Sequence, residues 1–115
     1  MHYTILIYQK PEDAAQCATS PERAQDWPRY SKALKEAGIF VDGVGLQPTD
    51  TATRLSFEGG RRRVQDGPYA DTKEQLGGFI IIDVPDLDTA LAWAERIPHA
   101  AERVFEVRPN VALPR

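Results

Sequence analysis

A chain of 115 residues, 42% of them hydrophobic, has room for one domain spanning 1–115 and buries about two-thirds of its unfolded surface on folding. A net charge of -3 and a pI near 5.3 argue against direct nucleic-acid binding, which needs a basic face. The single cysteine, Cys17, closes no internal disulfide and has no Cys or His partner at zinc spacing; with no leader-like start and no membrane-length apolar run, a cytoplasmic setting is expected.

In chain order, Tyr3 to Tyr8 is rich in β-branched and aromatic residues and reads as a first strand, apolar on both faces. Gln9 to Thr19 has no period and reads as a loop or short helical turn. Ser20-Pro21-Glu22 opens a helix with Ser as cap and Pro in the first turn. Trp27, Tyr30, Leu34 and Ala37 share one face of that helix, with a kink or restart near Asp26 forced by Pro28, and Gly38 ends it; Trp27 and Tyr30 read as core residues, or alternatively as an aromatic pair lining a pocket beside the sheet. Ile39 to Leu46 is a second strand weakened by glycines, followed by a loop over 47–50. Thr51 to Phe57 and Arg61 to Gln65 form a hairpin around Glu58-Gly59-Gly60. Its three arginines, Arg61 to Arg63, read as a solvated edge.

The segment from Asp66 to Gly78 reads as a polar, turn-rich loop entering the most apolar strand, Phe79 to Val84. Pro85 closes that strand. Asp86 caps a second helix with Leu87, Ala90, Leu91, Ala94 and Ile97 on its buried face, Trp93 as a packing residue and Pro98 as its stop. Arg103 to Arg108 alternates polar with apolar and gives the last strand. The order β-α-β-(hairpin)-β-α-β predicts an α+β fold, a ferredoxin-like antiparallel sheet with two helices on one face. Two helices cover one face only, whereas the first strand has Tyr3, Ile5 and Ile7 on one side and Thr4, Leu6 and Tyr8 on the other, and the strand from Phe79 has Phe79 and Ile81 opposite Ile80, Ile82 and Val84, so that both sides ask for cover. A homodimer packed sheet against sheet is therefore expected.

The stretch Asp66-Gly67-Pro68-Tyr69-Ala70-Asp71-Thr72-Lys73-Glu74-Gln75-Leu76-Gly77-Gly78-Phe79 resembles the DGPFAETKEQLGGF signature of the DGPF subgroup of the YCII-related family, with Tyr69 for Phe and Asp71 for Glu. Gly45-Leu46-Gln47-Pro48, the helix from Asp86 to Pro98 and Phe105-Glu106-Val107-Arg108-Pro109 extend the resemblance over nearly the whole chain. It implies a dimeric ferredoxin-like α/β barrel. For the wider family it implies acid–base chemistry by a His on the first helix and an Asp near the end of the second. Here Trp27 stands roughly at the His position and Ile97-Pro98 where Asp-Pro falls, while His2 and His99 match neither. Without that dyad, the reading leans away from an enzyme. Relatives that lie beside or are fused to alternative sigma factors imply a regulatory role as an alternative.

The candidate site is the charged part of the motif: Asp66, Tyr69, Asp71, Lys73 and Glu74, lining a dimer cleft that holds a small polar or anionic metabolite. The competing reading is an enzyme in which Asp66 or Asp71 moves a proton and Lys73 steadies negative charge. In the structural reading, Asp66 satisfies its own turn, Tyr69 plugs the core, and Lys73 and Glu74 form ion pairs that order the loop. No phosphate loop, nucleophile triad or metal cluster is evident in the sequence, so no cofactor and no metal are assigned.

Overall fold

The computed structural model describes residues 1–10, 25–68, 73–98 and 103–112. Its elements are β1 (His2–Gln9), α1 (Asp26–Glu36), β2 (Phe40–Gly45), β3 (Thr53–Glu58), β4 (Arg61–Asp66), β5 (Gln75–Asp83), α2 (Leu87–Glu95) and β6 (Val104–Pro109). The expected helix start at Ser20 and Pro21, Cys17, Tyr69, Asp71 and His99 lie outside the described residues. No described helix is long and apolar enough to cross a membrane.

Local chemistry sets the boundaries. Pro28 falls in the first turn of α1, where its missing N–H has no intrahelical partner to lose. The first helical hydrogen bond runs from the Arg29 N–H to the Gln25 carbonyl. At the other end Gly38 takes φ +72°, so that its N–H reaches the Lys35 carbonyl and the Ile39 N–H reaches the Leu34 carbonyl, closing a Schellman cap. Asp86 caps α2 as expected: its carboxylate accepts from the Thr89 N–H at 2.8 Å and from the Thr89 hydroxyl at 2.6 Å. Those bonds hold its carboxyl below the ordinary range.

The main sheet is antiparallel, in the order β2-β5-β1-β6, with both helices following strands as crossovers. This arrangement is consistent with a ferredoxin-like fold. The other two strands, β3 and β4, form a separate ribbon inserted between β2 and β5. Tyr3, Ile5 and Ile7 of β1 and Ile80 and Ile82 of β5 point at the helices, where they meet Tyr30, Leu34, Ala90, Ala94 and Ile97. On the opposite face Leu6, Phe79 and Ile81 are half-buried, while Val44, Leu76 and Val104 are exposed.

Four expectations need correction. Trp27 is 38% exposed and lies outside the core, although its ring meets Tyr30 edge-on at 5.9 Å. The buried face of α2 is turned: Ala90, Ala94 and Ile97 are buried and Trp93 packs against them, but Leu87 and Leu91 face solvent. Small alanines let the helix lie close to the sheet, and Trp93 fills the flank. Finally, β5 begins at Gln75, so the motif's last residues belong to the strand; Gln75 and Leu76 pair with Gln9 and Tyr8, with a bulge that leaves Gly77 unpaired. The first ribbon strand also starts later than expected, at Thr53, because residues 49–51 form a short helical turn held by the Pro48 carbonyl.

Tyr30 joins the two helices, its hydroxyl donating to the Trp93 carbonyl at 2.8 Å. Burial pushes its phenol from 10.0 up to about 12, against an opposing pull from Arg96. The folded chain thus keeps a proton that the unfolded chain releases above pH 10, so this contribution to stability is complete below that pH and is lost as pH rises towards 12. Tyr30→Phe is expected to flatten the alkaline limb of a plot of Tm against pH; an unchanged limb would show that other groups govern it.

Candidate functional site

Glycines at the β2–β5 end of the sheet replace side chains with space. In the ladder between these strands Gly43 pairs with Ile80 and Gly45 with Gly78, which puts both glycines of β2 and Gly78 on the helix-facing side. A side chain at Gly78 is barred: its Cβ would lie 2.5 Å from the Val44 carbonyl oxygen. At Gly45, across the ladder, a Cβ would meet nothing within 4 Å among the described residues. Over this bare floor lies α1. The result is a hollow of about 400 Å3, roofed by Trp27, Tyr30, Ser31 and Leu34. Gln9 and Arg103 add polar groups to its otherwise apolar wall. That mixture, an apolar cavity with a few polar groups at defined places, is the usual make-up of a small-molecule site.

Gly77 has a different task. A Cβ there would come 2.5 Å from the Gln9 side-chain nitrogen, so its bareness is what lets the Gln9 amide lie along the bulge towards the hollow.

The charged motif residues that the structure describes, Asp66, Lys73 and Glu74, do not line this hollow. Asp66 ends β4 and is exposed, and Lys73 is exposed just before β5. Glu74 is half-buried and, with Pro68, lines a second cleft of about 580 Å3 against Tyr8, Leu46, Pro48 and Leu76. Tyr8 and Leu76 belong to the uncovered side of the sheet, so this cleft opens there. Buried beside it is Gln75, whose side-chain oxygen has no hydrogen-bond partner among the described residues. Among the described residues, the two carboxylates with depressed pKa stand apart from the two cavities. Asp86 is held by its cap, and Asp83 by a 2.8 Å hydrogen bond from the N-terminal ammonium, with its charge and a weaker pull from His2 adding to the effect. Among the described residues no three His, Cys, Asp or Glu side chains are grouped to hold a metal ion.

Sequence reasoning offered a pocket at Trp27 and Tyr30 only as an alternative and missed the floor of the hollow, which is made of absent side chains. Its sequence trace is the alternation Gly43-Val44-Gly45, which bares one face of β2, together with Gly78; only the register shows that the bare positions adjoin. Trp27, at the place where the resemblance implies a histidine, forms part of the roof.

Fold and cavity together define a small α+β protein with one covered sheet face and a glycine-floored hollow beneath its first helix. The YCII-related domain matches residues 1–112, and the chain belongs to that family. It is also similar to an uncharacterized protein of Rhizobium meliloti (strain 1021), 36% identical over 115 residues, covering 95% of this chain and 91% of that protein.

Proposed function

We infer that the protein is a small-ligand binding or sensing module, and that the hollow under α1 takes a small anion with an apolar body. The observation that carries this reading is Gly45: a strand position with ordinary backbone geometry and open space where a side chain would go, on the floor of an apolar cavity that Arg103 and Ser31 also line. Gly in place of Ala costs a strand interior about 0.5–1 kcal/mol, and at the end of β2, where Gly45 lies, up to that amount. Keeping the space open offsets that loss if something fills it. The Asp66 to Phe79 stretch supports placing the chain in the DGPF subgroup, and a single cysteine fits a cytoplasmic setting. The uncovered sheet face supports a homodimer packed sheet against sheet, as in a dimeric α/β barrel.

A second reading is favoured by the cleft beside Pro68 and Glu74. There the motif residues Asp66, Tyr69, Asp71, Lys73 and Glu74 would hold a polar metabolite at the dimer.

Titration calorimetry with phenylacetate as probe separates the two. Gly45→Val is expected to weaken binding at least tenfold while Tm holds or rises, because the new Cβ meets no described atom within 4 Å and the methyl groups it carries extend into the hollow. Lys73→Ala is expected to leave the affinity unchanged. The reverse pattern would move the site to the motif, and no binding by the wild-type chain at millimolar probe would reject phenylacetate-like anions as ligands of the hollow.

A further inference from the structure

The β3–β4 ribbon is built for contact yet touches the rest of the described chain only sparsely. Its turn is well formed: Gly59 and Gly60 take φ +55° and +78°, the positive values of a two-residue hairpin loop. Its base is closed by the Gly67 N–H donating to the Ala52 carbonyl at 2.8 Å. One face is polar. Arg54 hydrogen-bonds to Gln65, and Arg63 pairs with Glu58 at 2.7 Å. The register puts Leu55 opposite Val64 and Phe57 opposite Arg62 on the other face, where Leu55 is 54%, Val64 53% and Phe57 69% exposed. A two-stranded hairpin is marginal in water on its own, and three large apolar groups on one side of it need a surface to rest on.

We propose that this ribbon is an intersubunit arm whose Leu55, Phe57 and Val64 face lies on a second copy of the chain, beside the uncovered face of that copy's sheet. The proposal rests on the dimer reading above and adds the element that completes the interface. Three observations identify the occupant as another copy.

First, the arm is rooted on the right side: Ala52 and Pro68 at its base line the same cleft as Tyr8 and Leu76 of the uncovered sheet face. A body covering that face therefore meets the arm. Second, the charges fit. The ribbon carries Arg54, Arg61, Arg62 and Arg63 against Glu58 and Asp66, a net of +2, which leaves -5 on the remainder of a chain whose total is -3. Such an arm is attracted to another copy's body and repelled by another copy's arm. Third, the area requires it. At ~4.8 Å between strands and ~3.3 Å per residue, four strands sharing a six-residue register project roughly 400 Å2, about half of the ~800 Å2 that a stable interface buries on each partner. Each arm projects roughly 200 Å2 more by the same spacings and occupies an equal area where it lands, which closes most of the difference.

The test combines sedimentation with paramagnetic broadening between chains. A nitroxide on Arg61→Cys, in a Cys17→Ser background, is mixed with isotope-labelled chains that carry no nitroxide. We expect a dimer at tens of micromolar, at least twofold loss of amide intensity at Leu6, Phe79 or Ile81 of the labelled copy, and a monomer of unchanged circular dichroism for Leu55→Asp/Phe57→Asp. A dimer with no broadening between chains, or with broadening confined to the other ribbon, overturns the arm and leaves the sheet-to-sheet dimer standing, as does a double variant that remains dimeric. A wild-type monomer overturns both. Should the double variant unfold, the broadening measurement on the Arg61→Cys chain decides alone.

Discussion

Gly78→Ala is expected to destabilise the protein by about 3 kcal/mol, at the upper end of the usual cost of forcing extra atoms into a packed site. The obstacle is the backbone itself. The new methyl would stand 2.5 Å from the Val44 carbonyl oxygen and 3.2 Å from the Gly45 Cα, so β2 would have to move away from β5. Because Leu46 is tied to the same end of the ladder through the Gly77 carbonyl at 2.9 Å, that movement also strains the link into the ribbon. Gly45→Ala is the matched control. It changes the residue directly across the ladder, on the same face, and should be neutral or stabilising by about 0.5 kcal/mol. Urea unfolding of the pair checks the argument, and equal losses at both positions would mean that the two glycines serve strand geometry alike.

Leu34→Ala should cost a similar amount, about 3 kcal/mol, within the range found for emptying a buried leucine site. Leu34 is 1% exposed, sits where α1 meets the sheet, and also roofs the hollow. Its truncation removes core contacts and merges the vacated space with the cavity. With a urea slope on the order of 2 kcal/mol per M, the unfolding midpoint should fall by roughly 1.5 M. Leu91→Ala provides the comparison. Leu91 reads as buried from helical periodicity, but it is 42% exposed and should cost less than about 1 kcal/mol. Losses of equal size would restore Leu91 to the core and contradict the rotation of α2.

The features that sequence reasoning recovered are those fixed by near neighbours. The first strand, the hairpin at Gly59 and Gly60, the start of α1 at Asp26 and the Asp86 cap each depend on a few adjacent residues whose backbone preferences agree. What it misplaced depends on partners distant in sequence. Gly77 and Gly78 look like the end of a loop, yet Gln75 to Gly78 are strand because Gln9, Tyr8 and Ile7 lie alongside to pair with them. The apolar stripe of α2 offers leucines or alanines to the sheet. Close approach selects the alanines, a decision taken by packing that no periodicity expresses. The charged motif drew attention to Asp66, Tyr69, Asp71, Lys73 and Glu74, while the cavity beneath α1 depends on side chains that are not there.

The claim that the hollow under α1 is the ligand site is tested most directly by an amide chemical-shift titration of the wild-type chain with phenylacetate. Saturable shifts clustered at Ser31, Leu34, Gly43, Gly45 and Gly78 are expected. Shifts clustered instead at Lys73, Glu74 and Gln75, or no saturable shift at millimolar probe, would contradict the claim.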